Sequence, residues 1–222
     1  MKTKTQFGEI LYKKDDKFGK QIALAVKKAE KKYHNFFHAK SIPFKVILTY
    51  SNKEYDAKAG LKNVKTWRGA YLVKNKIVML SPAVKKPEYD IHSYFDHEIN
   101  HMFYISLVGS YHPVWFSEGM ATYLMKTYKF DKKRFKKYFK SIKKPENYLY
   151  YRYLKKKYYK NGSIFYPLSY LVYEFLHEKY GQKKILCLLR EFSKKKSKKQ
   201  FNKLFVNTFN SSIKQTVQKA IS

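Results

Sequence analysis

The chain is poor in cysteine, arginine and acid, and it contains no long apolar run. Its single cysteine, Cys187, rules out an internal disulfide and argues against thiolate ligation of a metal. That residue lies in Ile185-Leu186-Cys187-Leu188-Leu189, an apolar setting that predicts a buried structural thiol. No segment approaches the roughly 20 apolar residues of a membrane-spanning helix. The amino-terminal MKTKTQFGEILYKK has lysines but lacks the roughly seven to fifteen apolar residues of a secretory leader. The expected location is therefore the cytoplasm, although a secreted protein whose leader had been removed would look the same.

Acid is scarce relative to base: 48 Lys and Arg face 16 Asp and Glu, for a net charge of +32. Such a balance suggests a polyanion, either nucleic acid or an anionic matrix, as partner. Only Arg68, Arg134, Arg152 and Arg190 are arginines, the residue suited to bidentate phosphate and base-edge recognition. Lysines supply non-specific, salt-sensitive attraction instead, and a solvated lysine surface without a dedicated ligand explains the same composition. What the chain does have is apolar material, 44% hydrophobic and 18% aromatic residues, which excludes a disordered polymer. One folded domain over residues 1–222 is expected.

Hydrophobic spacing sketches the elements. Phe18, Ile22, Ala25, Val26, Ala29, Tyr33 and Phe36 recur at helical intervals between Asp16 and about His38. Phe44 to Tyr50 reads as a strand that stops at Ser51-Asn52. Gly69 to Val73 and Ile77 to Leu80 flank Lys74-Asn75-Lys76, a hairpin whose asparagine tolerates turn geometry, and Pro82 and Pro87 close the region. From Asp90, a plausible cap, to about Val108, Ile91, Tyr94, Phe95, Ile99, Met102, Phe103 and Leu107 form the stripe of a second helix. A break over Gly109 to Pro113 precedes a third helix from Phe116 to about Tyr128. Beyond Lys129 lie lysine-rich helical patterns, broken near Pro145 and at Asn161-Gly162. Ile164 to Tyr180 is the clearest, with Gly181 as its carboxyl cap and Ser193 to Gln200 a solvated connection.

The second helix carries Asp96-His97-Glu98-Ile99-Asn100-His101, the pattern His-Glu-x-x-His. Residues four apart share a helix face, so the imidazoles of His97 and His101 can meet on one metal at about 2.0–2.1 Å. Glu98 projects about 100° round from His97, beside a metal rather than on it, where a general base for water belongs. Catalytic zinc takes three protein ligands and keeps a position open. Glu118, in Trp115-Phe116-Ser117-Glu118-Gly119-Met120-Ala121 on the following helix, can supply the third. The small Gly119 and Ala121 are expected to let the two helices approach.

At these residues the chain resembles the gluzincin metallopeptidases, and within them the peptidase MA-like domain. The resemblance rests on His97-Glu98-x-x-His101 and on the Trp-Phe-x-Glu-Gly-x-Ala segment from Trp115 to Ala121. Tyr166-Pro167-Leu168-Ser169-Tyr170, with the ending Leu176…Tyr180-Gly181, is similar to the tyrosine-bearing helix that follows in the family. The resemblance implies one zinc ion per chain, held by His97, His101 and Glu118, with Glu98 as catalytic base. It further implies a thermolysin-like hydrolysis of peptide or protein substrates and an oxyanion-stabilising tyrosine, for which Tyr166 and Tyr170 both fit. The spacer before Glu118 is a little shorter than in thermolysin or the large aminopeptidases. The Gly-x-Met-Glu-Asn segment that anchors a free amino terminus in those aminopeptidases is missing, which points to an endopeptidase.

The expected architecture is α+β and zincin-like. A small mixed or antiparallel sheet with the active-site helix occupies an amino-terminal lobe of about residues 1–108, and a mainly helical lobe of about 109–222 follows. Alternatives stand beside these roles. Glu118 could cap its helix, where carboxylates are favoured. Thr122 could accept a hydrogen bond from a ligand histidine or satisfy itself on its own helix. His92, Asp96 and His112 fit solvent or supporting positions, and His34, His38 and His177 have no partner pattern. At the level of the whole chain the rivals are a lysine-rich polyanion-binding module with a vestigial zinc site and a scaffold that keeps zinc for folding.

Overall fold

Short strands interleaved with two helices at the amino end, followed by a run of helices, produce an α+β protein with a small five-stranded sheet. The computed structural model describes residues 1–61, 70–84, 90–110, 112–150, 162–193 and 197–222. The chain falls into two compact units, Met1–Ser106 and Leu107–Ser222.

In the first unit, β1 (Lys2–Lys4), β2 (Gly8–Leu11), β3 (Phe44–Thr49), β4 (Tyr71–Val73) and β5 (Lys76–Leu80) form one mixed sheet in the order β1-β2-β3-β5-β4. β2, β3 and β5 are parallel, and β1 and β4 pair antiparallel at the two edges. Helix α1 (Phe18–Phe37) links β2 to β3, and α2 (Asn52–Ala59) follows β3. On β5 the pleat sends Val78 and Leu80 towards Tyr55 and Ala59 of α2, while Ile77 and Met79 are buried on the other face.

Sequence spacing anticipates α1, β3 and the β4–β5 hairpin; β1, β2 and α2 lie outside it. β1 is Lys-Thr-Lys, β2 buries only Ile10, and α2 buries only Tyr55 and Ala59, so none carries a readable apolar stripe. Ser51, expected to end a strand in a loop, accepts a hydrogen bond from the Glu54 amide at 3.1 Å and so starts α2. In the hairpin it is Lys74, at φ 54°, that takes the left-handed conformation. Asn75 instead donates its side-chain amide to the Pro43 carbonyl at 3.2 Å and accepts from the Lys45 amide at 2.9 Å. Gly69 and Pro87 lie outside the described residues.

Two buried carboxylates pin this unit. Glu30 of α1, 1% exposed, accepts from the Thr5 hydroxyl and from the Gln6 and Phe7 amides at 2.6, 3.1 and 3.1 Å, which fastens the β1–β2 turn to α1. Asp16 accepts from the Phe18 amide and from the hydroxyls of Tyr50 and Ser81, at 2.9, 2.8 and 2.6 Å, so the start of α1 and the ends of β3 and β5 meet on one side chain. Burial, with Asp16 adjacent, pushes the Tyr50 hydroxyl up to about 12, so it stays a donor.

Helix α3 (Ile91–Val108) closes the unit. The Ser93 amide and hydroxyl both donate to Asp90, which confirms that residue as the cap. Burial raises the Asp90 carboxyl, but hydrogen bonds from Ser93 and the His92 amide outweigh it and hold the group below the usual range.

The second unit is helical: α4 (Val114–Leu124), α5 (Lys132–Lys140), a 3-10 turn (Pro145–Leu149), α6 (Gly162–Ser193), α7 (Lys198–Phe209) and α8 (Ile213–Ile221). α4 packs along α6, and Trp115 and Phe116 stack edge-on against Phe201 and, for Phe116, Tyr173. Three expectations need correction in this unit. α4 ends at Leu124 rather than near Tyr128, because Lys126 turns left-handed at φ 64°. Gly181, non-helical at φ 74°, ψ 165°, ends the helix that starts at Gly162, as its spacing predicts, and a second helix follows directly across the kink to Ser193. Of the expected connection from Ser193 to Gln200, residues 194–196 lie outside the described residues, and its far end is helical, since Ser197 and Gln200 exchange hydrogen bonds of 3.2 Å in a capping box that starts α7.

Cys187 is exposed rather than buried: Ile185, Leu186, Leu188 and Leu189 take the inner face of α6, and the helical period leaves position 187 outside. Among the described residues no helix is long and apolar enough to cross a membrane.

Candidate metal centre

The platform for the motif is the buried face of α3. Phe95, Ile99, Met102 and Phe103 are fully buried, and the Phe103 ring lies 5.6, 6.3 and 5.9 Å from those of Phe7, Tyr33 and Phe37. Asp96, one residue before the motif, is held by Lys32 of α1 at 2.5 Å. It supports the helix and is not a ligand candidate.

On this fixed helix the Nε2 atoms of His97 and His101 stand 3.0 Å apart, with ring planes at 85°. Two nitrogens on one tetrahedral zinc at 2.0–2.1 Å are separated by about 3.3 Å, so the pair is set within a few tenths of an ångström of chelating geometry. His101 is 1% exposed and His97 half-buried. Glu98 is buried, with 9% of its surface exposed.

Glu118 lies on α4, of which every residue from Trp115 to Leu124 is buried. It is the fifth residue of the helix and falls in the second turn, past the amides a capping carboxylate would serve. At 7% exposure its carboxylate needs a cation or a set of donors to be stable there. One ligand atom from each of His97, His101 and Glu118 falls within 4.8 Å of the other two. Two imidazoles and a carboxylate are the donor set of a catalytic zinc site, and the residues present fit that ion.

Two of the supporting roles change. Gly119 makes room for α6: a Cβ there would stand 2.3 Å from the Ser169 carbonyl oxygen. Thr122 donates its hydroxyl to the carbonyls of Glu118 and Gly119, at 2.6 and 3.2 Å, which leaves it the self-satisfied helical threonine. His34 is bonded to the Ala39 carbonyl at 2.9 Å, and His38 takes the left-handed end of α1. His177 rests against Tyr123, its Nδ1 3.4 Å from the hydroxyl. Of the two candidate tyrosines, Tyr166 is 36% exposed. Tyr170 is packed among Tyr123, Tyr128 and Phe130, and burial together with Glu174 pushes its hydroxyl pKa up.

Asn100 escaped the sequence reading. It is fully buried within α3, one residue before His101, and among the described residues neither its amide oxygen nor its nitrogen has a hydrogen-bond partner. The available signal was a polar residue inside an otherwise apolar stripe. Comparison of the chain with protein-family models and with curated proteins yields no match.

Proposed function

We propose that the protein is a zinc-dependent peptidase of gluzincin type with a zincin-like fold, acting as an endopeptidase. The observation that carries this reading is the proximity of the His97, His101 and Glu118 ligand atoms, within 4.8 Å of one another, with Glu98 on the same helix as the two histidines. A structural zinc would have no use for Glu98, whereas a hydrolytic site requires a base next to the metal.

His97, His101 and Glu118 hold one zinc per chain in this reading. When bound, the ion supplies Lewis acidity, polarising the scissile carbonyl and making water a competent nucleophile near neutral pH. Glu98, adjacent to a ligand but not one itself, takes the proton of the attacking water and returns it to the leaving amine.

Digestion of a peptide library by the zinc-loaded protein and its Glu98→Gln variant tests the proposal. Glutamine keeps the size and the helix but cannot accept the proton. Cleavage should fall at least 10²–10⁴-fold, the usual worth of a general base, while bound zinc and melting temperature stay at wild-type values. Near wild-type cleavage by Glu98→Gln would remove Glu98 from the mechanism, and a wild type inert toward the library over a range of pH would remove the peptidase reading itself.

A further inference from the structure

The charge of the chain is unevenly shared. The second unit carries 27 of the Lys and Arg residues and only six of the Asp and Glu. Within it, α5 reads KKRFKKYFK, six basic residues in nine, and the one acid beside it, Asp131, is occupied as its amino-terminal cap on the Arg134 amide. Phe139 alone is buried; Lys133, Arg134 and Lys137 are exposed, and Tyr138 keeps 41% of its surface in solvent between them. Lys132 is paired with Glu174. Among the described residues no carboxylate pairs with Lys133, Arg134, Lys136 or Lys137.

We propose that α5 is a peripheral docking surface for anionic phospholipid. One face of the helix is anchored in the protein by Phe139, and the other offers ammonium groups on long apolar stems around an exposed tyrosine. That combination suits a headgroup layer, where the cations meet lipid phosphates and the ring sits at the acyl boundary. Nucleic acid suits it less well, because only Arg134 on this helix can make a bidentate phosphate contact. Each basic residue near an anionic membrane strengthens binding about fivefold, so four free cations and a tyrosine suffice for reversible attachment.

The test is co-sedimentation of the full chain with phosphatidylserine-containing vesicles and with pure phosphatidylcholine vesicles at physiological salt. Lys133→Gln, Lys136→Gln and Lys137→Gln together should weaken partitioning onto the anionic vesicles on the order of a hundredfold. The same loss of charge on α1, by Lys20→Gln, Lys27→Gln and Lys31→Gln, should leave most of it intact. A Tyr138→Trp variant should be quenched by brominated lipid in the anionic vesicles, a readout independent of the lysine substitutions. Equal losses from the two triple variants, equal binding to both vesicle types, or an unquenched tryptophan each overturn the assignment. So does a single-stranded oligonucleotide that outcompetes the vesicles at matched phosphate.

Discussion

Gly119→Ala distinguishes this packing from what the sequence alone would suggest. In an open helix the substitution is favourable by about 1 kcal/mol, because alanine restricts the unfolded chain and glycine does not. Here the added Cβ would lie 2.3 Å from the Ser169 carbonyl oxygen, 2.8 Å from its carbonyl carbon and 3.1 Å from Tyr173 Cβ. The two closest atoms are backbone, so no rotamer change relieves the clash, and α4 and α6 must move apart by about 1 Å to reach normal contact. Overpacking of this kind costs about 1–3 kcal/mol, at the upper end where backbone must move. Set against the propensity gain, the net loss is about 2 kcal/mol, or roughly 4–8 °C in melting temperature for a chain of this length. Thermal unfolding followed by circular dichroism measures it. Ser169→Ala should not rescue the variant, since the obstruction is the carbonyl and not the side chain. A Gly119→Ala protein as stable as wild type, or more stable, would refute the close approach of α4 to α6 at this residue.

Glu118→Ala and His97→Ala should each abolish near-unit zinc stoichiometry in elemental analysis of the dialysed protein; full zinc retention by Glu118→Ala would eliminate the carboxylate ligand. His177 is held below its ordinary pKa by burial first and by Lys126 second. Its contribution to stability is therefore complete above about pH 6.5 and is lost as pH falls through the lower folded value. In metal-free protein, His177→Gln should flatten the decline of the urea midpoint with acidification, and an unchanged slope would count against it. Cys187, exposed on α6, should react with iodoacetamide in the native state without loss of structure, whereas protection until unfolding would place it inside. Ser197→Ala removes the capping box of α7 and should destabilise the protein by about 1 kcal/mol, read from the same thermal melts.

The elements legible in the sequence are those whose burial follows their own period. Ile22, Val26 and Tyr33 on α1, Val46 and Leu48 on β3, and Phe95, Ile99, Met102 and Phe103 on α3 recur at the spacing of the structure they occupy, and all are buried; on α1 the end of the stripe shifts from the expected Phe36 to Phe37. The approach of His97 to His101 on α3 was legible for the same reason, because a helix of any context sets residues four apart on one face. Glu98 follows from His97 by the same arithmetic.

Local spacing did not reach what depends on a distant partner. β1 and β2 exist because a sheet edge and Glu30 receive them, and their own residues carry almost no pattern. Gly119 owes its smallness to a carbonyl fifty residues later, and Cys187 lies outside because its four apolar neighbours, not the cysteine, determine which face turns inward. By itself the sequence determined the α+β class, helix α3 and the His97-Glu98-x-x-His101 geometry on it, since these are set by residues within one or two turns. Only the tertiary structure decided the strand order, the neighbour that Gly119 serves and the fate of Thr122 and Cys187, because burial and close approach are properties of pairs of segments and local periodicity describes one segment at a time.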